Sequence, residues 1–351
     1  MKNINFTRKY LTKICLLAIL SLFSISNVFA NEEHGEEKFN PGSLILHHVA
    51  DSHEWHFATI GHTHITLPLP VILYSSDKGL EVFSSGNFHN DTHTFDDYKL
   101  NEHDHIESLS GRSFKDFSIT KNVASLFISA ILLLVVFTTV SAGYKKNPKG
   151  APKGIQSAFE PIIVFVRDEI AKPNIGAKHE KFLPYLLTVF FFIWFNNLLG
   201  LMPGGANLTG NISVTFVLAV FTFILTTING NKSYWGHIFN TPGVPWWLKI
   251  PVPLMPVIEF IGIFTKPFSL MIRLFANITA GHIIILSLLG LIFIFQSYTV
   301  GAVSSIFVVL MSFMELLVAF VQAYVFTLLS SMYLGSAVEE HHHEEGHGGH
   351  H

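Results

Sequence analysis

The stretch KPFSLMIRLFANITAGH, residues 266–282, places polar side chains inside one of the long apolar regions of the chain. Arg273 stands in its middle, Asn277 follows one helical turn later, and His282 closes the stretch. A guanidinium at the depth of a bilayer costs at least about 2.5 kcal/mol on insertion scales, and it cannot avoid that cost by losing its proton. The arginine therefore predicts a function that uses a charge inside a membrane.

Other polar residues share the face of Arg273 if this region is helical. Glu259 and Lys266 precede Arg273 at intervals of seven residues, and Ser269 and Asn277 lie one turn to either side of it. By the helical rise, Glu259 is about 21 Å from Arg273 along the axis. This polar stripe predicts a surface that another helix or a path of water approaches closely.

The last apolar segment adds Glu315 and Gln322, and a register argument relates them to the first stretch. If the two segments form an antiparallel hairpin, paired residues share a midpoint, which is about 297.5 for Arg273 with Gln322 and about 298.5 for His282 with Glu315. Both midpoints fall in QSYTVG, the polar break between the segments. We therefore expect Gln322 at the depth of Arg273, and His282 opposite Glu315 about 13 Å nearer the outside.

The composition predicts that the elements positioning these residues lie in a membrane. Of the 351 residues, 49% are apolar and 13% are charged, and several runs approach the roughly 20 apolar residues of a spanning helix. A formal net charge of -3 without a strongly basic face argues against a nucleic-acid partner. The only cysteine, Cys15, lies in a segment that we expect to be removed, so the mature chain is predicted to lack disulfides and thiolate metal sites.

Residues 1–30 have the pattern of a secretory signal peptide, with basic residues, a short apolar core and small residues at positions 28 and 30. We expect cleavage after Ala30, and an uncleaved anchor is the alternative. In either case residues 31–118 begin outside the cytoplasm. This region is polar and rich in histidine, so we predict a small irregular or β periplasmic region with a hairpin around residues 75–79 and loops elsewhere.

The histidines of this region raise the question of a bound metal. His62 and His64 could share one face of a strand, and His89 and His93 would suit a helical turn. A zinc site needs three or four converging ligands, and no cysteine is available to supply one. We therefore predict solvated histidines, no metal and no cofactor.

The apolar runs predict five membrane spans within residues 119–338, at residues 123–142, 182–202, 212–228, 251–295 and 300–334. Lysines cluster after the first span and again between the third and fourth spans, which places those loops in the cytoplasm by the positive-inside rule. The mature N-terminus is then periplasmic and the C-terminus cytoplasmic.

Two further segments complete the predicted fold. Residues 156–171 place apolar and charged side chains at helical spacing, which predicts a helix along the inner membrane interface. The fourth span is too long to stand perpendicular to the bilayer, so it tilts and forms a long hairpin with the fifth. The fold class is an all-α integral membrane protein with five transmembrane helices, and residues 339–351 form a His- and Glu-rich cytoplasmic tail of low complexity.

KPFSLMIRLFANITAGH followed by ELLVAFVQAYVF resembles subunit a of the membrane (Fo) sector of F-type ATP synthases, and the resemblance extends over about residues 182–334. It implies that Arg273 is the essential arginine that faces the ring of c subunits. It also implies that His282, Glu315, Gln322 and Asn277 belong to the outer half-channel and the ring interface. Compared with many bacterial members, the acid and the imidazole are exchanged between His282 and Glu315.

The same resemblance assigns Glu259 and Ser269 to the inner half-channel. It implies a proton-conducting stator subunit of the cell inner membrane that couples proton flow to ring rotation and does not itself catalyse ATP chemistry. The implied partners are the c-subunit ring, the b subunits of the peripheral stalk, the remaining ATP synthase subunits, membrane lipid and protons.

Two other classes of function fit parts of the sequence. A zinc or other cation transporter would explain the histidine-rich region and tail, but it requires His, Asp or Glu ligands at membrane depth and no buried cation such as Arg273. A purely structural membrane anchor has no need of the polar stripe. Zinc or proton flux in vesicles separates these classes.

Overall fold

The computed structural model of the chain describes residue 42 and residues 50–60, 63–90, 92–101, 104–146, 151–202, 204–239 and 254–339. The predicted signal peptide, and all of the predicted tail except Glu339, lie outside these residues. The chain divides into two compact units. The N-terminal unit comprises residues up to 124 together with residues 200–206, and the helical unit comprises residues 125–199 and those from 207 onward.

Short antiparallel strands build the N-terminal unit. Strands β1–β8 cover Glu54–Ile60, Thr63–Pro68, Pro70–Ser75, Gly79–Ser84, Thr94–Phe95, Tyr98–Leu100, Ile106–Ser108 and Phe114–Asp116. β1 pairs with β2, β3 lies between β4 and β8, and β6 lies between β5 and β7. These strands match the prediction of a small β region before the first membrane helix.

The predicted hairpin around residues 75–79 is confirmed. β3 and β4 pair in register from Pro70 opposite Ser84 to Ser75 opposite Gly79. Gly79 has a φ of +77°, in the left-handed region that glycine enters without the steric cost of a Cβ. The turn chemistry of the sequence therefore fixed this register.

The prediction of loops in FHNDTHTFDDYKLNEHDH is wrong in part, because β5 and β6 lie within this stretch and pair with each other and with β7. Two apolar side chains of this polar stretch, Phe88 and Tyr98, are buried together with Ile106 and with side chains of β3. The hydroxyl of Tyr98 donates to Glu81 Oε2, so its polar end is satisfied.

The prediction of a helical turn from His89 to His93 is also wrong. The 3-10 helix Ser85–Phe88 ends before His89, and His93 has a φ of +48°. The Nε2 atom of His89 lies 2.6 Å from Glu54 Oε1 on β1. His62 and the side chain of His64 lie outside the described residues.

Helices build the second unit. Helices α1–α8 cover Lys121–Lys146, Ile155–Phe165, Lys172–Ile175, His179–Gly200, Ile212–Ile228, Lys232–Phe239, Leu254–Phe295 and Tyr298–Val338. The π-helical segment Val166–Ala171 and the 3-10 turn Gly176–Lys178 join α2, α3 and α4 into one helical run. The predicted interfacial helix, residues 156–171, falls on the first part of this run.

In the described part of the chain, four helical stretches are long and apolar enough to cross a membrane: α1, the run from α2 to α4, α7 and α8. α5 is apolar but shorter, with 17 residues. Large apolar side chains on these helices face outward, and Leu134 and Phe313 are 66% and 63% exposed. Apolar surface of this extent is stable in lipid rather than in water. The chain is therefore a multi-pass membrane protein.

One face of α8 carries small residues and packs closely against α3 and the π-helical segment. The hydroxyl of Ser331 donates to the backbone oxygen of Ile170 at 3.0 Å. A Cβ on Gly335 would collide with the backbone oxygen of Asn174. Such close contact lets helices associate where burial of apolar surface provides little driving force. Glu315, in the first half of α8, is also buried.

Candidate functional site

The predicted hairpin of the last two helices is present. α7 ends at Phe295 and α8 begins at Tyr298, so Gln296 and Ser297 alone connect them. Gln296 has a φ of +43°, a left-handed conformation that helps the chain reverse within two residues. A connection this short makes the helices antiparallel neighbours, so residues equidistant from it face one another.

His282 and Glu315 are in contact, which confirms the predicted register. His282 Nδ1 lies 2.6 Å from Glu315 Oε1, and the two side chains are 14% and 4% exposed. A buried carboxylate requires a hydrogen-bond donor, and an imidazole supplies one whether it is neutral or charged. The two side chains therefore form one acid–imidazole pair within apolar helices.

The carboxylate of Glu315 packs closely against α7, and only one of its two oxygens has a hydrogen-bond partner among the described residues. A Cβ built on Gly281 would lie 3.0 Å from Glu315 Oε1, so the carboxylate rests directly on the glycine. Glu315 Oε2 is buried and accepts no hydrogen bond from the described residues. A buried oxygen of this kind needs a donor, and a water molecule would supply it.

Arg273 lies on an exposed side of α7, opposite the side that carries His282. Leu274 and Ile278 are buried in the core of the helical unit, whereas Arg273 and Asn277 are exposed. Within the described residues, the guanidinium of Arg273 forms no ion pair or hydrogen bond. A lone cation on an apolar helix is unfavourable in lipid. This face of α7 therefore presents a charge for which the described residues supply no counter-ion.

The remaining predicted site residues form no side-chain hydrogen bond with Arg273 among the described residues. Gln322 is 5% exposed and lies on the buried face of α8. Ser269 and Glu259 are half-buried on α7. The predicted common depth of Arg273 and Gln322 thus does not produce a hydrogen bond between their side chains within this chain.

A buried amide network, which the sequence reasoning missed, supports α8 next to Glu315. Asn197 lies near the end of α4, is 2% exposed, and donates from Nδ2 to the backbone oxygen of Ala319 at 3.0 Å. The hydroxyl of Thr209 donates to Asn197 Oδ1 at 2.6 Å. Ala319 is one helical turn from Glu315. The signal in the sequence is an Asn-Asn pair at the end of an apolar run, because a buried amide needs an internal partner.

Ligands for a metal do not converge in the part of the chain that the structure describes. No group of three or more His, Cys, Asp or Glu side chains lies close enough together to hold an ion. His282 and Glu315 are two such side chains, whereas a zinc ion takes three or four protein ligands. The chemistry that this pair offers is proton exchange.

Comparison with known proteins relates this geometry to a family. The family model described as ATP synthase A chain matches residues 123–335, which include all seven predicted site residues. The chain belongs to the ATP synthase A chain family. A second family model, described as a domain of unknown function, matches residues 44–124. The ATP synthase A chain match thus covers the membrane helices, and the second match covers the strands of the N-terminal unit.

Relatives with the same name extend the similarity. ATP synthase subunit a of Chlorobium phaeobacteroides is 42% identical over 328 residues, which cover 91% of this chain and 81% of the relative. ATP synthase subunit a 2 of Chlorobaculum tepidum is 44% identical over 322 residues, which cover 90% and 77%. The first alignment is longer than residues 123–335, so these ATP synthase A chain proteins also share part of the N-terminal region.

Proposed function

We propose that the chain is the proton-conducting stator subunit of the membrane sector of an F-type ATP synthase. In this role it forms two half-channels against a ring of c subunits and couples proton flow to ring rotation. The family membership and the names of the relatives support the proposal. The observation that carries it is Arg273, a guanidinium without a partner in the described chain, on the exposed face of the helix that also supplies His282.

The ring-facing chemistry follows from the charge of Arg273. A carboxylate that a rotating ring carries through lipid must be neutral, because a bare charge there is too costly. Beside a guanidinium the ionised form becomes favourable, so the carboxylate releases its proton. The guanidinium keeps its own protons, so it separates the two water paths and prevents a direct leak between them.

His282 and Glu315 form the outer path. A proton can pass between an imidazole and an acid that share a hydrogen bond, because each group can release and take up a proton. Glu315 Oε2 accepts no hydrogen bond from the described residues, so a water molecule can deliver a proton to it. Gln322 continues this path along α8 toward the depth of Arg273, and Asn277 borders the ring beside the arginine.

Glu259 and Ser269 line the inner path. Both are half-buried on α7, and both precede Arg273 along the helix. An acid and a hydroxyl at this place can pass a proton from the ring to water on the cytoplasmic side. The proton that the ring carboxylate gives up thus leaves on the side opposite to His282.

The topology that fits this role has five crossings, with the N-terminal unit in the periplasm and the C-terminus in the cytoplasm. Lys145 and Lys146 end α1, which agrees with a cytoplasmic end of that helix. The c-subunit ring, the b subunits and the remaining ATP synthase subunits are the expected partners in the inner membrane.

The experiment is ATP-driven proton pumping by inverted membrane vesicles that contain the assembled complex. Arg273→Ala should abolish pumping without loss of assembly, and Arg273→Lys should restore it only in part, because an ammonium lacks the planar fork and loses its proton more readily when buried. Lys232→Ala, which removes an exposed cation from α6, is the control and should pump normally. Normal coupled pumping by Arg273→Ala would remove Arg273 from the mechanism.

A further inference from the structure

The N-terminal unit contains a cluster of charged side chains that the proposed proton path does not use. Asp51 precedes β1, Asp104 precedes β7, Asp116 ends β8, and Lys121 begins α1. His53 lies between these groups and is 5% exposed. Buried charges are stable only when they are paired and hydrogen-bonded, so the arrangement around the imidazole determines its charge.

Both ring nitrogens of His53 face oxygen atoms that accept hydrogen bonds. Nδ1 lies 2.8 Å from the backbone oxygen of Asp104, and Nε2 lies 3.0 Å from Asp116 Oδ2. A neutral imidazole carries a single N–H, so its other nitrogen would point a lone pair at an oxygen. Only the imidazolium donates both hydrogen bonds. The geometry therefore selects the protonated ring.

The surrounding groups favour the same state. Burial opposes a charge on the ring, but the hydrogen bonds to Asp116 and Asp104 and the negative charges of Asp116 and Asp51 outweigh it, so the pKa of His53 is raised above 6.5. Burial likewise opposes a charge on Asp116, but hydrogen bonds from His53 and Ser118 lower the pKa of this carboxyl below 3.8. Lys121 is the described cation that faces Asp51 and Asp104.

The segment that contains His53 also holds the start of α1. Asp51 accepts hydrogen bonds from the backbone N–H of Asn122 at 3.0 Å and from the hydroxyl of Thr120 at 2.8 Å, so it caps the helix from a distant part of the chain. The backbone N–H of Lys121 donates to the backbone oxygen of Ser52 at 2.8 Å. The contacts of His53 with Asp116 therefore join β8, residues 50–53 and the first turn of α1.

We propose that His53 is a proton-binding site of the N-terminal unit, and that its bound proton closes residues 50–53 onto β8 and the first turn of α1. The ligand is a single proton taken from the solution around this unit. The site is separate from His282 and Glu315, and the proposal does not depend on proton conduction through the helical unit.

The pH dependence follows from the direction of the shift. Because the pKa of folded His53 is higher than that of the unfolded chain, the contribution of the proton to closure is fully present below about pH 6.5 and is lost as the pH rises through the folded pKa. Between these two values the equilibrium constant for opening should rise by up to about tenfold per pH unit, and it should level off above the folded pKa. The ionised Asp116 contributes in the opposite sense and loses its contribution only in acid.

Nitrogen NMR of the full chain in detergent, labelled at histidine, tests the charge directly. His53→Gln identifies the signals of His53 by their disappearance. We expect the ring of His53 to keep both N–H protons to a higher pH than a histidine of the unfolded chain, whose pKa is about 6.5. A ring that loses a proton at or below that pH in the folded wild-type chain would overturn the proposal.

Hydrogen exchange of residues 50–53 and 114–124, corrected for the intrinsic effect of pH on exchange, tests the closure. The wild-type chain should lose protection as the pH rises, and Asp116→Asn should move this loss to lower pH, because the imidazolium loses its anionic partner. His89→Gln is the matched control, since His89 also pairs with an acid at 2.6 Å but is 52% exposed. It should keep the wild-type dependence. An Asp116→Asn chain with an unchanged pH dependence would contradict the proposed site.

Discussion

Arg273 and His282 lie on one helix but belong to different electrostatic environments. His282 is paired with a buried acid at 2.6 Å, whereas Arg273 is exposed and unpaired among the described residues. Residue spacing predicted the pairing of His282 with an acid, because residues at equal distances from a short hairpin turn lie at the same depth in the membrane. The sequence could not show which way Arg273 faces, because that depends on which side of α7 packs against the rest of the unit.

Exchange of the two paired residues tests whether they act as a unit. His282→Glu and Glu315→His alone should each reduce proton flux, because each leaves a buried group without its complement. The double variant restores one acid and one imidazole at the same depth and should recover part of the loss, with a coupling of about 0.5 to 3 kcal/mol. The measurement is proton uptake by inverted vesicles at several pH values.

The control for this cycle is the same exchange at His89 and Glu54, which pair at the same distance in the N-terminal unit. It should leave proton flux unchanged. If the His282→Glu, Glu315→His chain is no better than the product of its two single variants, the residues act independently and the outer path must be assigned elsewhere.

The helices α7 and α8 approach closely at the acid–imidazole pair. Apolar runs predicted both helices to within a few residues, because lipid requires continuous helices whose backbone groups are satisfied internally. The close approach itself could not be predicted, since many apolar helices contain glycine. The structure identifies Gly281 as the contact and shows that Gly262, on the same helix, has no atom within 4 Å of a built Cβ.

Gly281→Ala should therefore reduce proton flux, whereas Gly262→Ala should not. Both changes add one methyl group to α7 and both favour helix formation by about 0.5 to 1 kcal/mol. Only the first methyl displaces Glu315, and a displacement near 1 Å in such a site lowers rates by up to about a hundredfold. Flux in vesicles at equal complex content is the measurement. Equal flux in the two variants would show that the contact with Gly281 does not position the carboxylate.

At the scale of the whole molecule, composition established the membrane class, and the strands of the N-terminal unit were predicted only where turn chemistry was strong. The indole N–H of Trp55 donates to the backbone oxygen of Gly204 at 2.6 Å, which brings residues 200–206 into this unit. No local pattern predicts a contact between residues so distant in sequence. The strands around Tyr98 were not predicted, because only a few apolar side chains in this polar stretch form its core.

The topology yields a last prediction, for which the chain is unusually suited. Its only cysteine, Cys15, lies in the predicted signal peptide, so a Cys15→Ser chain provides a background without thiols. Leu109→Cys lies in the N-terminal unit at a position that is 59% exposed, and Lys153→Cys lies on an exposed position after α1. If the unit is periplasmic and the lysine-rich loop cytoplasmic, a membrane-impermeant maleimide should label the first in intact spheroplasts and the second only after permeabilisation. Labelling of Lys153→Cys in intact spheroplasts would invert the topology, and with it the assignment of His282 and Glu315 to the outer path.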